Sequence, residues 1–192
     1  MPEVEITSPQ VLPEEIRLKM FPNYPDDTQI VRFFDTLGRA VTVWQTVETS
    51  LYEVYEKAVR PQLPGAAAAG FHAMQAFNVK LTVTDAAVRF CAAGNETLLR
   101  EWADIKDDAG KKATRRNQFV HFSTYIMWDE TNPNDRIRLE PQLYDTRFPA
   151  DAPHLRMTEI AEITDKFVEV SRRLSLFAKK ISEQLAQPQA SA

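Results

Sequence analysis

The stretch Arg116-Asn117-Gln118-Phe119-Val120-His121 places a guanidinium, a carboxamide and an imidazole within six residues. Those groups can break a phosphodiester without a metal. RNA carries a 2′-hydroxyl beside each phosphate. Cleavage needs a base for that hydroxyl, an acid for the leaving 5′-oxygen, and positive charge on the pentavalent phosphorus. Histidine titrates near neutrality and can take either proton-transfer role, each worth about 10²–10⁴-fold. Arginine can hold two phosphate oxygens at once and oppose the growing charge.

On an ideal helix Arg116 and His121 stand about 140° apart, whereas Asn117 and His121, four residues apart, share a face. An arginine side chain is long enough to bend toward the histidine. One helix still makes a poor site by itself. Two copies packed across a two-fold axis could bring both pairs into one groove, with the two His121 rings sharing the acid and base roles.

The net charge is −4, so any polyanion has to be met by a local basic patch. Lys111, Lys112 and Arg115, just ahead of the motif, are the nucleic-acid-binding candidates. A solvated helix face is the plainer account of the same residues.

The elements that position these groups are mostly helical. Residues 1–27 carry five of the twelve prolines and read as an extended arm with one short helix at PEEIRLKMF. Asp26, Asp27 and Thr28 offer N-caps for a long helix. From about 28 to 60, Ile30, Phe34, Leu37, Val41, Trp44, Leu51, Tyr55 and Ala58 step by threes and fours, as an amphipathic helix does. PQLPG at 61–65 ends it. Residues 66–93 read as one antiparallel return helix with Phe71, Met74, Leu81 and Val88 on its stripe, closed by Gly94-Asn95. Two shorter helices are expected at about 95–106 and 108–122, with Gly110 near the second start. STYIMWDE and DRIRLEPQLY flank Thr131-Asn132-Pro133-Asn134, the signature of a β-hairpin over about 123–145. A last helix runs over about 156–186, with Ile160, Ile163, Phe167, Val170, Leu174, Phe177 and Ile181 as its stripe. The tail 187–192 is expected to be disordered. The fold class is therefore mainly α: an antiparallel bundle of about five helices over 28–186 as one domain, with a β-hairpin inserted before the last helix.

Three polar residues fall on these stripes. Glu48 takes a position where the step predicts a hydrophobe, and Asn78 and Asp85 lie on the return helix. They could form one internal cluster facing Arg116 or His121, or simply structural ion pairs.

Other chemistries find little support. Cys91 is alone, which excludes an internal disulfide and a cysteine-rich zinc site and suits a reducing cytoplasm. His72 and His154 lack ligand partners at metal-binding spacing, and the five glycines are too dispersed to cradle a phosphate. Ser123 has nothing to activate it. Trp128, Tyr125 and Tyr144 on the hairpin serve better as apolar cover than as base-stacking platforms. No cofactor or metal is expected. No apolar run reaches the length of a membrane span, and the acidic, proline-bearing start MPEVEITSPQ is unlike a targeting peptide.

RNQFVH, with its polar residue after the arginine and hydrophobes before the histidine, resembles the Arg-x4–6-His signature of HEPN domains. The helical order over roughly 28–186 is also similar: a long antiparallel pair, the motif on a later helix, then a final helix. The resemblance implies a homodimer with facing motifs and a metal-independent endoribonuclease acting on RNA. It further implies a toxin or phage-defence setting, beside a nucleotidyltransferase-type antitoxin. Arg116 and His121 would carry catalysis with Asn117 in support. An acidic residue on an earlier helix contributes in some members, and Glu48 is the matching position by helix order. The hairpin and the arm depart from the core of that fold. The alternative is a non-catalytic HEPN-like module for dimerisation or for binding RNA or a partner, with Arg116, His121 and Glu48 as interface groups.

Overall fold

A computed structural model of the chain describes residues 13–20, 22–127, 132, 136–142, 147–149 and 152–186. Among these, the elements run α1 (Glu14–Met20), α2 (Asp27–Val59), α3 (Pro64–Ala73), α4 (Phe77–Cys91), α5 (Glu96–His121), β1 (Ser123–Ile126), β2 (Ile137–Glu140), β3 (Leu155–Arg156) and α6 (Met157–Ala186). The protein is mainly helical, with a small antiparallel sheet between α5 and the last helix, as the sequence leads one to expect. The expected turn at 131–134 lies outside the described residues apart from Asn132, as do Trp128, Tyr144, residues 1–12 and the tail 187–192.

The chain divides into two compact units, one of Met1–Arg39 with Gln118–Ala161, the other of Ala40–Asn117 with Glu162–Ala192.

In the first unit, α2 opens with a reciprocal cap. The Gln29 backbone N–H donates to Asp26 Oδ1 at 2.7 Å, and the Asp26 N–H donates to Gln29 Oε1 at 3.1 Å. Arg17 of α1 is buried, pairs with Asp27 and lies 4.8 Å from the centre of the Tyr24 ring. β1 pairs with β2 in the register Ser123↔Glu140 to Ile126↔Ile137, and Met127 N–H to Arg136 O at 2.8 Å extends the ladder. A third strand was not expected: Leu155 and Arg156 pair with Leu139 and Arg138. Two residues are too few to show alternation, and the proline-rich approach hides them. Ile137, Leu139 and Leu155 turn inward with Tyr24, Phe33, Phe119, Phe122 and Ile160 to form the unit's core.

In the second unit, the buried hydrophobic positions of α2 are Ala40, Trp44, Val47, Leu51, Val54 and Ala58, a step of four and three throughout, with Ser50 buried beside them. This corrects the expected stripe. Leu51 is reached from Trp44 through Val47, so Glu48 flanks the seam rather than interrupting it. On the portion of α2 in the first unit, Phe33 is buried and Phe34 is half exposed, again one residue from the expected phase.

The expected return helix over 66–93 is two helices. Met74 and Ala76 take extended backbone between α3 and α4. On one unbroken helix Phe71 and Lys80 would point about 180° apart. The break lets both be buried. The opposite correction applies downstream. The two helices expected to meet near Gly110 are one, α5, because Leu98, Trp102, Ile105, Ala109 and Ala113 continue a single buried stripe past the glycine. Asn95 caps it, accepting from the Leu98 N–H at 3.0 Å, and Gly94 supplies the left-handed turn before it at φ 86°.

Every apolar position expected on α6 is buried. Within this unit Trp44 packs edge-on against Phe167 at 5.0 Å, and Trp102 stacks on Phe177 at 5.3 Å. Between those aromatic contacts α2 and α6 meet through hydroxyls. Ser50 Oγ lies 2.9 Å from Ser171 Oγ and 3.1 Å from Ser175 Oγ. Ser175 also donates to Glu53 Oε2 at 2.9 Å, and Ser171 donates to Thr46 O at 3.2 Å.

Candidate functional site

The motif RNQFVH occupies the end of α5, with His121 as its last residue. Arg116 and Asn117 fall in the second unit and His121 in the first.

Arg116 is half-buried. Its Nη1 donates to Asn117 Oδ1 at 3.4 Å, and its buried Nε has no hydrogen-bond partner among the described residues. An unpaired guanidinium N–H in a half-buried setting is costly unless an acceptor arrives. Asn117 itself is exposed.

His121 is half-buried, and its Nε2 lies 3.3 Å from Nη1 of Arg147. The Phe148 ring lies 6.4 Å from the imidazole and packs edge-on against the buried Phe122 at 5.0 Å. Sequence reasoning missed Arg147 and Phe148. They sit 26 and 27 residues past His121 in a proline-rich loop without periodicity, where only their residue types could have drawn notice.

The basic patch is less free than its composition suggests. Lys111 Nζ pairs with Asp107 Oδ2 at 2.6 Å, and Lys112 Nζ pairs with Asp108 Oδ1 at 2.9 Å, both one turn back along α5. The hydrogen bond it donates to Asp107, then the charge of that carboxylate, pushes the Lys111 ammonium above the ordinary lysine value. Asp108 is also met by Arg173 of α6 at 3.0 Å. Arg115 is exposed.

The polar residues on the stripes do not form one cluster. Glu48 Oε2 takes an ion pair from Lys80 Nζ at 2.5 Å, and its Oε1 accepts from Trp44 Nε1 at 3.0 Å. Asp85 accepts from Trp102 Nε1 at 2.8 Å, Lys106 Nζ at 3.0 Å and Arg89 Nε at 3.1 Å. Burial pushes the Asp85 carboxyl up, and the bonds from Lys106, Trp102 and Arg89 outweigh it, leaving it below the usual aspartate range. Asn78 is exposed. The physical reason for the separation is local: each carboxylate finds an indole and a cation of its own, Trp44 and Lys80 for Glu48, Trp102 and Lys106 for Asp85. Glu48, the expected acidic contributor, is thus engaged by Lys80 and Trp44.

The remaining candidates are structural in their contacts. His72 is exposed, with ring centres 5.3 Å from Tyr52 and 5.7 Å from Phe71. Cys91 is half-buried, donates to Val88 O, and has its thiol pushed up by burial. His154 lies in the approach to β3. Among the described residues no group of three or more His, Cys, Asp or Glu converges as metal ligands would. Nor, among them, is any helix long and apolar enough to cross a membrane. No protein-family model, curated protein or solved structure matches the chain.

Proposed function

We propose that the protein is a metal-independent endoribonuclease of HEPN type, working as a cytoplasmic homodimer whose two RNQFVH motifs form one composite site. The observation that carries this reading is the state of the motif's two reactive side chains. Arg116 keeps a guanidinium N–H in want of an acceptor beside Asn117, and His121 ends its helix half-exposed with a second cation, Arg147, at its ring. A phosphate oxygen would satisfy the first, and an imidazole beside cations suits the second to proton transfer at a phosphodiester.

In this mechanism one His121 takes the 2′-hydroxyl proton, and the His121 of the second copy protonates the leaving 5′-oxygen. Arg116 holds the phosphate oxygens as negative charge builds on them. Asn117 steadies the Arg116 fork. The products are a 2′,3′-cyclic phosphate and a 5′-hydroxyl. The resemblance carries with it a role as a toxin or phage-defence component, with a nucleotidyltransferase-type antitoxin as partner.

The test is cleavage of single-stranded RNAs of varied sequence with a chelator present. Wild type is expected to cut, and His121→Ala and Arg116→Ala to lose about 10²–10⁴-fold. Equal cutting by wild type and His121→Ala, or none by a folded wild-type dimer, overturns the reading. The pairing of Lys111 with Asp107 and Lys112 with Asp108 favours the second reading, a non-catalytic dimerisation or binding module. On that reading His121→Ala weakens the dimer and leaves RNA affinity unchanged.

A further inference from the structure

Arg147 approaches His121 with a bond that can run in one direction only. A guanidinium has no lone pair to offer and keeps its protons throughout the range in which proteins stay folded. At 3.3 Å it therefore donates, and Nε2 accepts. Nε2 is then the lone-pair nitrogen of a neutral ring and Nδ1 carries the proton, since the bond made at one imidazole nitrogen sets the state of the other. The distance is long for a charged donor, and Arg147 is exposed. Its neighbour Phe148 is fastened against Phe122. The backbone is thereby held beside His121, while the long side chain at 147 can change partners.

We propose, resting on the ribonuclease reading, that Arg147 is a phosphate-binding residue that caps the His121 base until RNA arrives. A phosphodiester carries a full negative charge on two oxygens and matches the guanidinium fork, whereas the imidazole offers one neutral lone pair. Incoming RNA draws Arg147 from Nε2 onto the phosphate. The freed lone pair then lies beside the phosphate that Arg147 holds, and so beside the neighbouring 2′-hydroxyl. Nε2 takes the hydroxyl proton, the 2′-oxygen bonds to phosphorus, and the bond from phosphorus to the 5′-oxygen breaks. That oxygen leaves with the proton of the second copy's imidazolium. The base is thus released by the substrate it acts on.

Heteronuclear NMR of the imidazole nitrogens reads which one carries the proton, with no reaction required. The full chain is compared as wild type, Arg147→Ala and Arg147→Lys, alone and with a fully 2′-O-methylated oligouridylate, which has phosphates but no attacking hydroxyl. In wild type alone, His121 Nε2 is expected as the lone-pair nitrogen. Arg147→Ala is expected to move the ring away from that state, and Arg147→Lys, with one donor point, to retain part of the bias. The oligonucleotide moves the wild-type signal toward the alanine pattern and leaves the alanine variant in place. Identical Nε2 signals in wild type and Arg147→Ala, or a wild-type signal unmoved by the oligonucleotide, overturns the proposal. With unmodified RNA, Arg147→Ala is expected to cleave about 10²-fold less efficiently, with Arg147→Lys between. Should the NMR behave as described while wild type cuts no RNA, the ribonuclease reading fails and the exchange of Arg147 between imidazole and phosphate stands.

Discussion

Lys80, nearly sealed from water, delivers its ammonium to Glu48 Oε2 at 2.5 Å, while Glu48 keeps more than a quarter of its own side chain exposed. The pair is unequal. Removing the carboxylate strands a buried cation, whereas removing the cation leaves an anion that water can still reach. Breaking a buried pair costs roughly 3–5 kcal/mol, and the partial exposure of Glu48 sets Glu48→Gln at the low end. Lys80→Met, which removes the charge and keeps an unbranched side chain of similar length, is expected to cost about 1 kcal/mol. Urea midpoints of the two variants check the order. A Lys80→Met protein less stable than Glu48→Gln would reverse the argument.

Asp85 ties Trp102 and Lys106 of α5 to α4 in the second unit. Asp85→Asn should lower stability at neutral pH by about 2 kcal/mol, the usual worth of hydrogen bonds to a charged acceptor. Because the folded protein holds this carboxyl below its ordinary value of 3.8, the stabilisation is complete above that value and fades as pH falls through the lower folded one. The gap between wild type and Asp85→Asn should therefore narrow in strong acid. Denaturant titrations at neutral pH and below pH 3.8 measure it.

Gly110 lies inside α5, where a Cβ would meet Leu81 Cδ2 at 3.9 Å, an ordinary contact. Gly110→Ala is expected to raise stability by about 1 kcal/mol, through helix propensity and a less flexible unfolded chain. A fall in the thermal midpoint would show that the glycine answers some close approach outside the described residues.

If RNA binds along α5, Lys111 should contribute less than its charge allows. Each phosphate contact to a single strand contributes about 0.7 to the slope of log affinity against log salt. Lys111→Ala should remove less, because Asp107 already holds its ammonium, and Asp107→Asn should strengthen binding. Titrations of a labelled oligouridylate across a salt series separate these outcomes.

The helical character, the sheet before the last helix and the whole stripe of α6 were legible, because regular burial writes itself as a regular step. Phase was harder. Both Phe33 and Phe34 are hydrophobes, and only tertiary packing decides that Phe33 turns inward. A break is expected between 106 and 108, with Gly110, a poor helix former, close behind it, yet an uninterrupted apolar face overrides that preference. The break at 74–76 carries no proline and no glycine; it answers the need to bury Phe71 and Lys80 together, a demand that arises only in three dimensions. Of the candidate site, Arg116, Asn117 and His121 are proposed from spacing. Arg147 could not, since nothing local announces which residue of an irregular loop will reach back to a helix end.

The hydroxyl seam between α2 and α6 holds fewer protons than it has places for them. Three hydroxyl hydrogens, those of Ser50, Ser171 and Ser175, serve four contacts: Ser50 with Ser171, Ser175 with Ser50, Ser175 with Glu53, and Ser171 with Thr46 O. One contact is therefore always empty-handed, and this stretch of the helix pair is bound by a shared set of protons rather than a settled one.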